Sequence, residues 1–305
     1  MILSAIRTGL RKTLENRRMI VVFYFANLLV GLLIMLPFRS ALSDFASNTL
    51  MGEKLAGRFD MDFLFDFLAK NNGAISSEMG LMVIAAAVYW LLAIFLSGGA
   101  FSVFAGSDKY TPRTFWGSAA AYFGRFIRLA LWSLPVLGIF YCVQFIETGI
   151  VRVIFGKDPY QYVTYWGGVV KLGLAQIGIL FYFVVLDYSR IYVVLTDERT
   201  MRLALWKGIG FAFGNFPRTF GIAFTMFLTG VIVLIIYNPI ADALHAPGTL
   251  IVLSLFVVQQ LYMFLRMILK LTLFGGEMSL FRELRAPQEH VPRPDTSGEV
   301  GLERA

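Results

Sequence analysis

The chain has 305 residues, of which 57% are hydrophobic and only 15% charged, and its mean hydropathy is +0.68. An ordinary soluble domain carries about a quarter of its residues as Asp, Glu, Lys or Arg, so this composition excludes one and points to a membrane protein. A single cysteine, Cys142, excludes an intramolecular disulfide and a cysteine-based metal site, and the net charge of +7 lies around the ends of apolar runs, a topology signal rather than a nucleic-acid footprint.

Six charge-free runs follow one another, at 19–38, 79–107, 129–146, 172–186, 219–241 and 243–265. A helix rises about 1.5 Å per residue and needs about 20 residues to cross a hydrocarbon layer about 30 Å thick. Five runs approach or exceed that length, and the fourth reaches it if Lys171 snorkels to the interface. The expectation is an all-α polytopic bundle of six transmembrane helices, at 19–38, 79–98, 127–147, 165–187, 219–239 and 249–272. They form one membrane domain, 1–285, with an outer segment at 39–78. The first run is retained as a span, because Pro37, Phe38 and Arg39 follow it where a signal peptide would have small residues.

Ahead of the first span stand Arg7, Arg11, Lys12, Arg17 and Arg18. The second connection carries Lys109, Arg113, Arg125 and Arg128, and the fourth Arg190, Arg199, Arg202, Lys207 and Arg218. The fifth connection, 238–248, has no Lys or Arg. The third has Arg152, Lys157 and Lys171, and the first sets four basic residues against six acids. Excess Lys and Arg mark the cytoplasmic side, so both termini are expected there. Tyr160, Tyr162, Tyr165 and Trp166 would form an aromatic belt on the outer side.

In the outer segment FDMDFLFDFLAKNNG reads as a short helix over 59–73, capped by Asp60 or Asp62 and ended by the Asn-Asn-Gly run. The tail, 286–305, is rich in Pro, Glu and small polar residues and is expected to be disordered.

Three segments open on a glycine and lead through an amphipathic stretch into a span: GLRKTLENRRMIVVFYFANLLVG, GSAAAYFGRFIRLALWSLPVLG and GIGFAFGNFPRTFGIAFTMFLTG. Gly9 pairs with Gly31, Gly117 with Gly138 and Gly208 with Gly230, with Asn16, Gly124 and Asn215 seven residues after each opening glycine. Such spacing suggests a threefold repeat, each unit an interfacial cytoplasmic helix followed by a helical hairpin. Chance spacing in a Gly-rich chain is the competing explanation.

No H-E-x-x-H or G-x-x-x-x-G-K-[ST] occurs, and the two histidines, His245 and His290, fall outside the spans. Neither a catalytic set nor a cofactor or metal site is therefore expected. What remains are polar groups inside spans: Gln144, Gln176, Gln259 and Gln260, which either line a polar path or hydrogen-bond between helices. Near the inner boundary Asp187 is joined by Arg190, Arg266 and Lys270. Arg266 and Lys270 share a helix face, so an ion pair from Asp187 to one of them is expected to lock spans four and six. Between these features, Thr196 is expected to cap the helix that begins near Met201.

The stretch SGGAFSVFAGSDKYTPRTFWGSAAAYFGRF and its parallel LDYSRIYVVLTDERTMRLALWKGIGFAFGNF resemble bacterial six-span membrane proteins of unknown function. That group is similar in layout to the membrane domain attached to some glycerophosphodiester phosphodiesterases. The resemblance implies a bacterial inner-membrane location and no established activity, and this chain has no phosphodiesterase catalytic domain to carry one over. The sequence thus reads as a non-enzymatic inner-membrane protein assisting lipid or envelope processes. Its expected partners are membrane lipids and membrane or cytoplasmic proteins, with no nucleic acid. The alternative is a transporter or permease subunit whose path is lined by Gln176, Gln259 and Gln260.

Overall fold

A computed structural model describes residues 1–47, 72–106, 109–156, 160–244 and 248–285. The expected caps Asp60 and Asp62, both histidines and the tail lie outside the described residues. Of the helix expected over 59–73 only Asn72 and Gly73 are described, so that helix lies outside the described residues.

All regular structure among the described residues is helical. In chain order the elements are α1 (Ile2–Glu15), α2 (Arg17–Ser47), α3 (Asn72–Ala105), α4 (Pro112–Trp132), α5 (Leu134–Tyr141), a 3₁₀ turn (Cys142–Gln144), α6 (Phe145–Phe155), α7 (Gln161–Thr196), α8 (Met201–Gly214), α9 (Phe216–Ala243) and α10 (Thr249–Arg285). Five stretches are long and apolar enough to cross a bilayer: Gly80–Ala105, Leu134–Phe155, Gln161–Thr196, Phe216–Ala243 and Thr249–Arg285. This is the pattern of a multi-pass membrane protein. A sixth candidate is the pair Ile2–Glu15 and Arg17–Leu33, bent by 82° at the break between them.

That break has a local cause. Asn16 turns its amide onto the Lys12 carbonyl (2.8 Å) and leaves the helical region at φ −107°, ψ 39°. Asn215 does the same between α8 and α9, with its amide 3.3 Å from the Phe211 carbonyl and φ −121°, ψ 30°. Each asparagine competes with the helix for its own backbone and so ends it. Proline at the second position of α9, Pro217, then starts the next helix where a missing N–H costs nothing.

The third apolar run departs from expectation. The expected span 127–147 is divided, because α4 continues to Trp132 and the apolar stretch proper is Leu134–Phe155. Ser133 stops α4 by donating to the Ala130 carbonyl (2.7 Å), and it also bonds the Tyr182 hydroxyl (2.9 Å). Pro135 opens α5, and a 3₁₀ turn interrupts the run again. Cys142 sits in that turn and is exposed, not packed.

The turn after α7 also corrects the sequence reading. Thr196 donates to the Tyr192 carbonyl inside α7 (2.7 Å), and Thr200 is the residue that precedes α8. Asp197 adopts the left-handed conformation (φ 48°), and Glu198 accepts from the backbone N–H groups of Arg199 and Thr200.

Packing follows one rule three times. The most extensive helix contacts are α4 on α3, α8 on α7, and α1 on α10. Each short helix thus lies on the end of a long one that precedes it in the chain, except that α1 reaches across to the last. The long helices α3, α7 and α10 also touch one another. Small residues permit the approach: a Cβ on Gly9 would run into the backbone of Thr272 and Gly276, and one on Gly208 into Ser189. The core gathers at this end of the bundle, with Phe23, Phe101, Phe104, Phe115, Phe126, Tyr188 and Phe281 fully enclosed. The far halves of the long helices are open, with Val153 at 86% and Leu250 at 77% exposure.

Candidate functional site

The charged cluster lies where α7 and α10 meet in that core. Asp187 and Arg190 stand one turn apart on α7, and the Arg190 Nη1 donates to Asp187 Oδ1 at 2.8 Å. Both are buried, and the guanidinium sits 5.7 Å from the centroid of Phe126 on α4. The expected partner was Arg266 or Lys270; the structure pairs Asp187 with Arg190 instead. The three-residue spacing brings the guanidinium to the carboxylate without leaving the helix. Arg266 turns to the ring of Tyr262 (5.8 Å), and the Lys270 ammonium lies 5.7 Å from the ring of Phe23. Lys270 still feels the Asp187 charge through space, so the two helices are coupled without a direct bridge.

One member of the cluster was missed from the sequence. Glu277 on α10 is 1% exposed, and neither carboxylate oxygen accepts a hydrogen bond among the described residues. It interacts electrostatically with both Asp187 and Arg190. Beside it the Tyr188 hydroxyl and the Arg190 Nε are enclosed and have no hydrogen-bond partner among the described residues. Only one hydrogen bond, from Arg190 to Asp187, links these four side chains among the described residues. Burying a charge is costly unless it is paired and hydrogen-bonded, so this knot is the least satisfied polar region of the core. Its signal was present in LFGGEMSLF, an acid flanked at three and four residues by apolar side chains.

The glutamines are not gathered into one site. Gln144 is buried in the 3₁₀ turn, and its amide nitrogen has no partner among the described residues. Gln176 on α7 and Gln259 on α10 are exposed on outer faces of their helices. Gln260 accepts the Tyr24 hydroxyl of α2 at 2.7 Å, an interhelical bond worth about 0.6 kcal/mol in a membrane.

At the rim, Arg125 of α4 donates to Asp197 at 2.5 Å, tying α4 to the turn after α7. That hydrogen bond, with the arginine charge, holds the Asp197 carboxyl below its ordinary value. On α10, Arg282 donates to the Ala105 carbonyl at the end of α3, and Asn16 accepts from the Tyr110 N–H (2.7 Å).

No protein-family model, curated protein or solved structure matches this chain. The helices of the described residues, five of them long and apolar enough to cross a membrane, define the class of a multi-pass membrane protein.

Proposed function

We propose that the chain is a non-enzymatic six-span protein of the bacterial inner membrane, with both termini cytoplasmic. In this reading it is a membrane platform that assists lipid or envelope processes through partners. The bent pair at Asn16 supplies the sixth span, with α1 lying along the membrane surface and α2 crossing. The three short helices α1, α4 and α8 then lie at the cytoplasmic face as equivalent parts of a threefold repeat. The contacts of α1 with α10, α4 with α3 and α8 with α7, and the matching breaks at Asn16 and Asn215, support that repeat.

The observation that carries the reading is the contrast along the helices. The ends that join the short helices are closed and densely packed, and the far halves present long apolar surfaces sideways. A closed foot with open flanks suits docking of lipids or other membrane proteins better than conduction through a central path. The test is photocrosslinking in native membranes from Val153, Leu253 and, as a control, Ala119. The reading expects defined protein or lipid adducts from the two flank positions and none from the buried control. Absence of flank adducts would sink it.

A transport role for Gln176, Gln259 and Gln260 stays as a second reading, because Gln176 and Gln259 are exposed among apolar neighbours on α7 and α10. A water path would make cysteines at 176 and 259 react with a membrane-impermeant thiol reagent, in a Cys142→Ser background. Lipid-facing positions would stay unlabelled.

A further inference from the structure

The short helix α1 divides into stripes. Ala5, Gly9 and Thr13 face α10 and are buried. At 3.6 residues per turn, Leu3, Leu10 and Leu14 fall within about 40° of one another on a different face. They are 78%, 39% and 53% exposed. Arg7 and Arg11 run beside this leucine stripe, within about 100° of it around the helix. The helix lies at 82° to the first part of α2, so when α2 crosses the bilayer α1 lies nearly in its plane.

Three exposed leucines do not belong in water, and two arginines do not belong in hydrocarbon. A position at the boundary satisfies both, with the leucines among acyl chains and the guanidiniums at the level of the phosphates. The charge there is not neutralised from within. Among the described residues of α1 Glu15 is the acid, and its contact with Arg11 is a long 3.7 Å pair between exposed groups. On the neighbouring face Lys12 is half-buried, and burial, together with the charges of Arg282 and Arg11, holds its ammonium below the usual value. An unbalanced cluster of cations beside a greasy stripe is complementary to an anionic amphiphile.

We propose that α1 is a recognition site for anionic phospholipid, with Arg7 and Arg11 binding the phosphodiester headgroup and Leu3, Leu10 and Leu14 seating the acyl chains. This rests on the membrane reading above and adds a lipid class to it. It also gives the exposed face of α1 an occupant, where the opposite face is already filled by α10.

The experiment follows thermal unfolding of the full chain in detergent with a short-chain phosphatidylglycerol as the probe. Short-chain phosphatidylcholine of equal length and inorganic phosphate are the comparison arms. The expected result is a saturable rise in Tm with phosphatidylglycerol alone, since a ligand that binds the folded state raises stability. The Arg7→Gln/Arg11→Gln variant should keep the parent's unliganded Tm and weaken the apparent affinity about 25-fold, from about fivefold per basic residue at a lipid surface. Arg7→Lys/Arg11→Lys should retain most of the affinity, and Arg128→Gln on α4 all of it. An equal rise with phosphatidylcholine would remove the anionic headgroup from the proposal, and an equal rise with inorganic phosphate would remove the lipid. An unchanged affinity in the double Gln variant would remove α1. The membrane reading fails separately: release of the chain from membranes by alkaline carbonate would overturn it, whereas retention without phosphatidylglycerol preference overturns only the lipid proposal.

Discussion

The two ends of the bundle are built on different physics. At the foot, where α1, α4 and α8 lie on α10, α3 and α7, large side chains such as Phe101, Phe115, Phe126 and Phe281 are fully enclosed. Their packing there removes apolar surface from water, worth about 1.5–3 kcal/mol for each large side chain. In the far halves Val153, Ile154, Leu250 and Leu253 stand open on the helix surfaces. Lipid tails are as apolar as leucine, so burying these residues against protein brings little gain over leaving them in a bilayer. The difference teaches where a helical membrane protein of this kind stores its specificity. Small residues, ring contacts and charges are concentrated in the foot, and the far halves mainly need to be apolar and long.

The sharpest way to break that contrast is Arg190→Met, which leaves Asp187 charged and unpaired in the foot. A loss of about 3–5 kcal/mol is expected, read by denaturant unfolding in micelles, and the double variant Asp187→Leu/Arg190→Met should recover most of it. A single variant as stable as the parent would show that the pair does not anchor the foot. Next comes Gly9→Leu, which pushes a side chain into the backbone of α10. Overpacking of this kind costs about 1–3 kcal/mol, and α1 should become sensitive to protease while α3 stays protected. Farther along the bundle, Gln260→Leu removes the bond from Tyr24 and should cost about 0.6 kcal/mol in the same unfolding measurement. Val153→Ala and Leu250→Ala on the open flanks should stay within about 0.5 kcal/mol of the parent. Losses there as large as those at the foot would mean that the flanks are packed by something firm in solution.

The smallest effect concerns pH at the rim. The Asp197 carboxyl is held below its ordinary value by Arg125, so its contribution is complete above 3.8 and disappears as pH falls through the lowered folded-state value. Cleavage by an acid protease in the turn 197–200 should therefore increase only at strongly acidic pH. In Arg125→Gln the increase should begin nearer the ordinary carboxylate range. Identical profiles would remove the pair from the rim's stability.

The long apolar helices could be read from charge-free runs, because the hydrocarbon layer dictates their length whatever their neighbours. The short helices were legible too, from basic and aromatic residues placed just before the runs. The third run misled because hydropathy does not register Ser133 and Pro135, which divide it by hydrogen bonding and a missing N–H. The charged cluster was half legible. Asp187 stood out at the end of an apolar run, but its partner depended on rotamers, and the three-residue neighbour won over a residue on another helix. Glu277 was overlooked because α10 was expected to leave the membrane near 272. The sequence does not say that the following turns are enclosed by α1, α7 and α9.

The docking of α1 on α10 joins the first and last helices among the described residues. The ribosome delivers Gly9 long before Gly275, so until α10 is made α1 lacks the surface that covers Ala5, Gly9 and Thr13. At about 5–20 residues per second the wait lasts on the order of tens of seconds. During it the face of α1 that carries Ala5, Gly9 and Thr13 is without its α10 partner. Final closure of the foot is then a post-insertion event, and a chain truncated before α10 would emerge with its N-terminal helix still waiting.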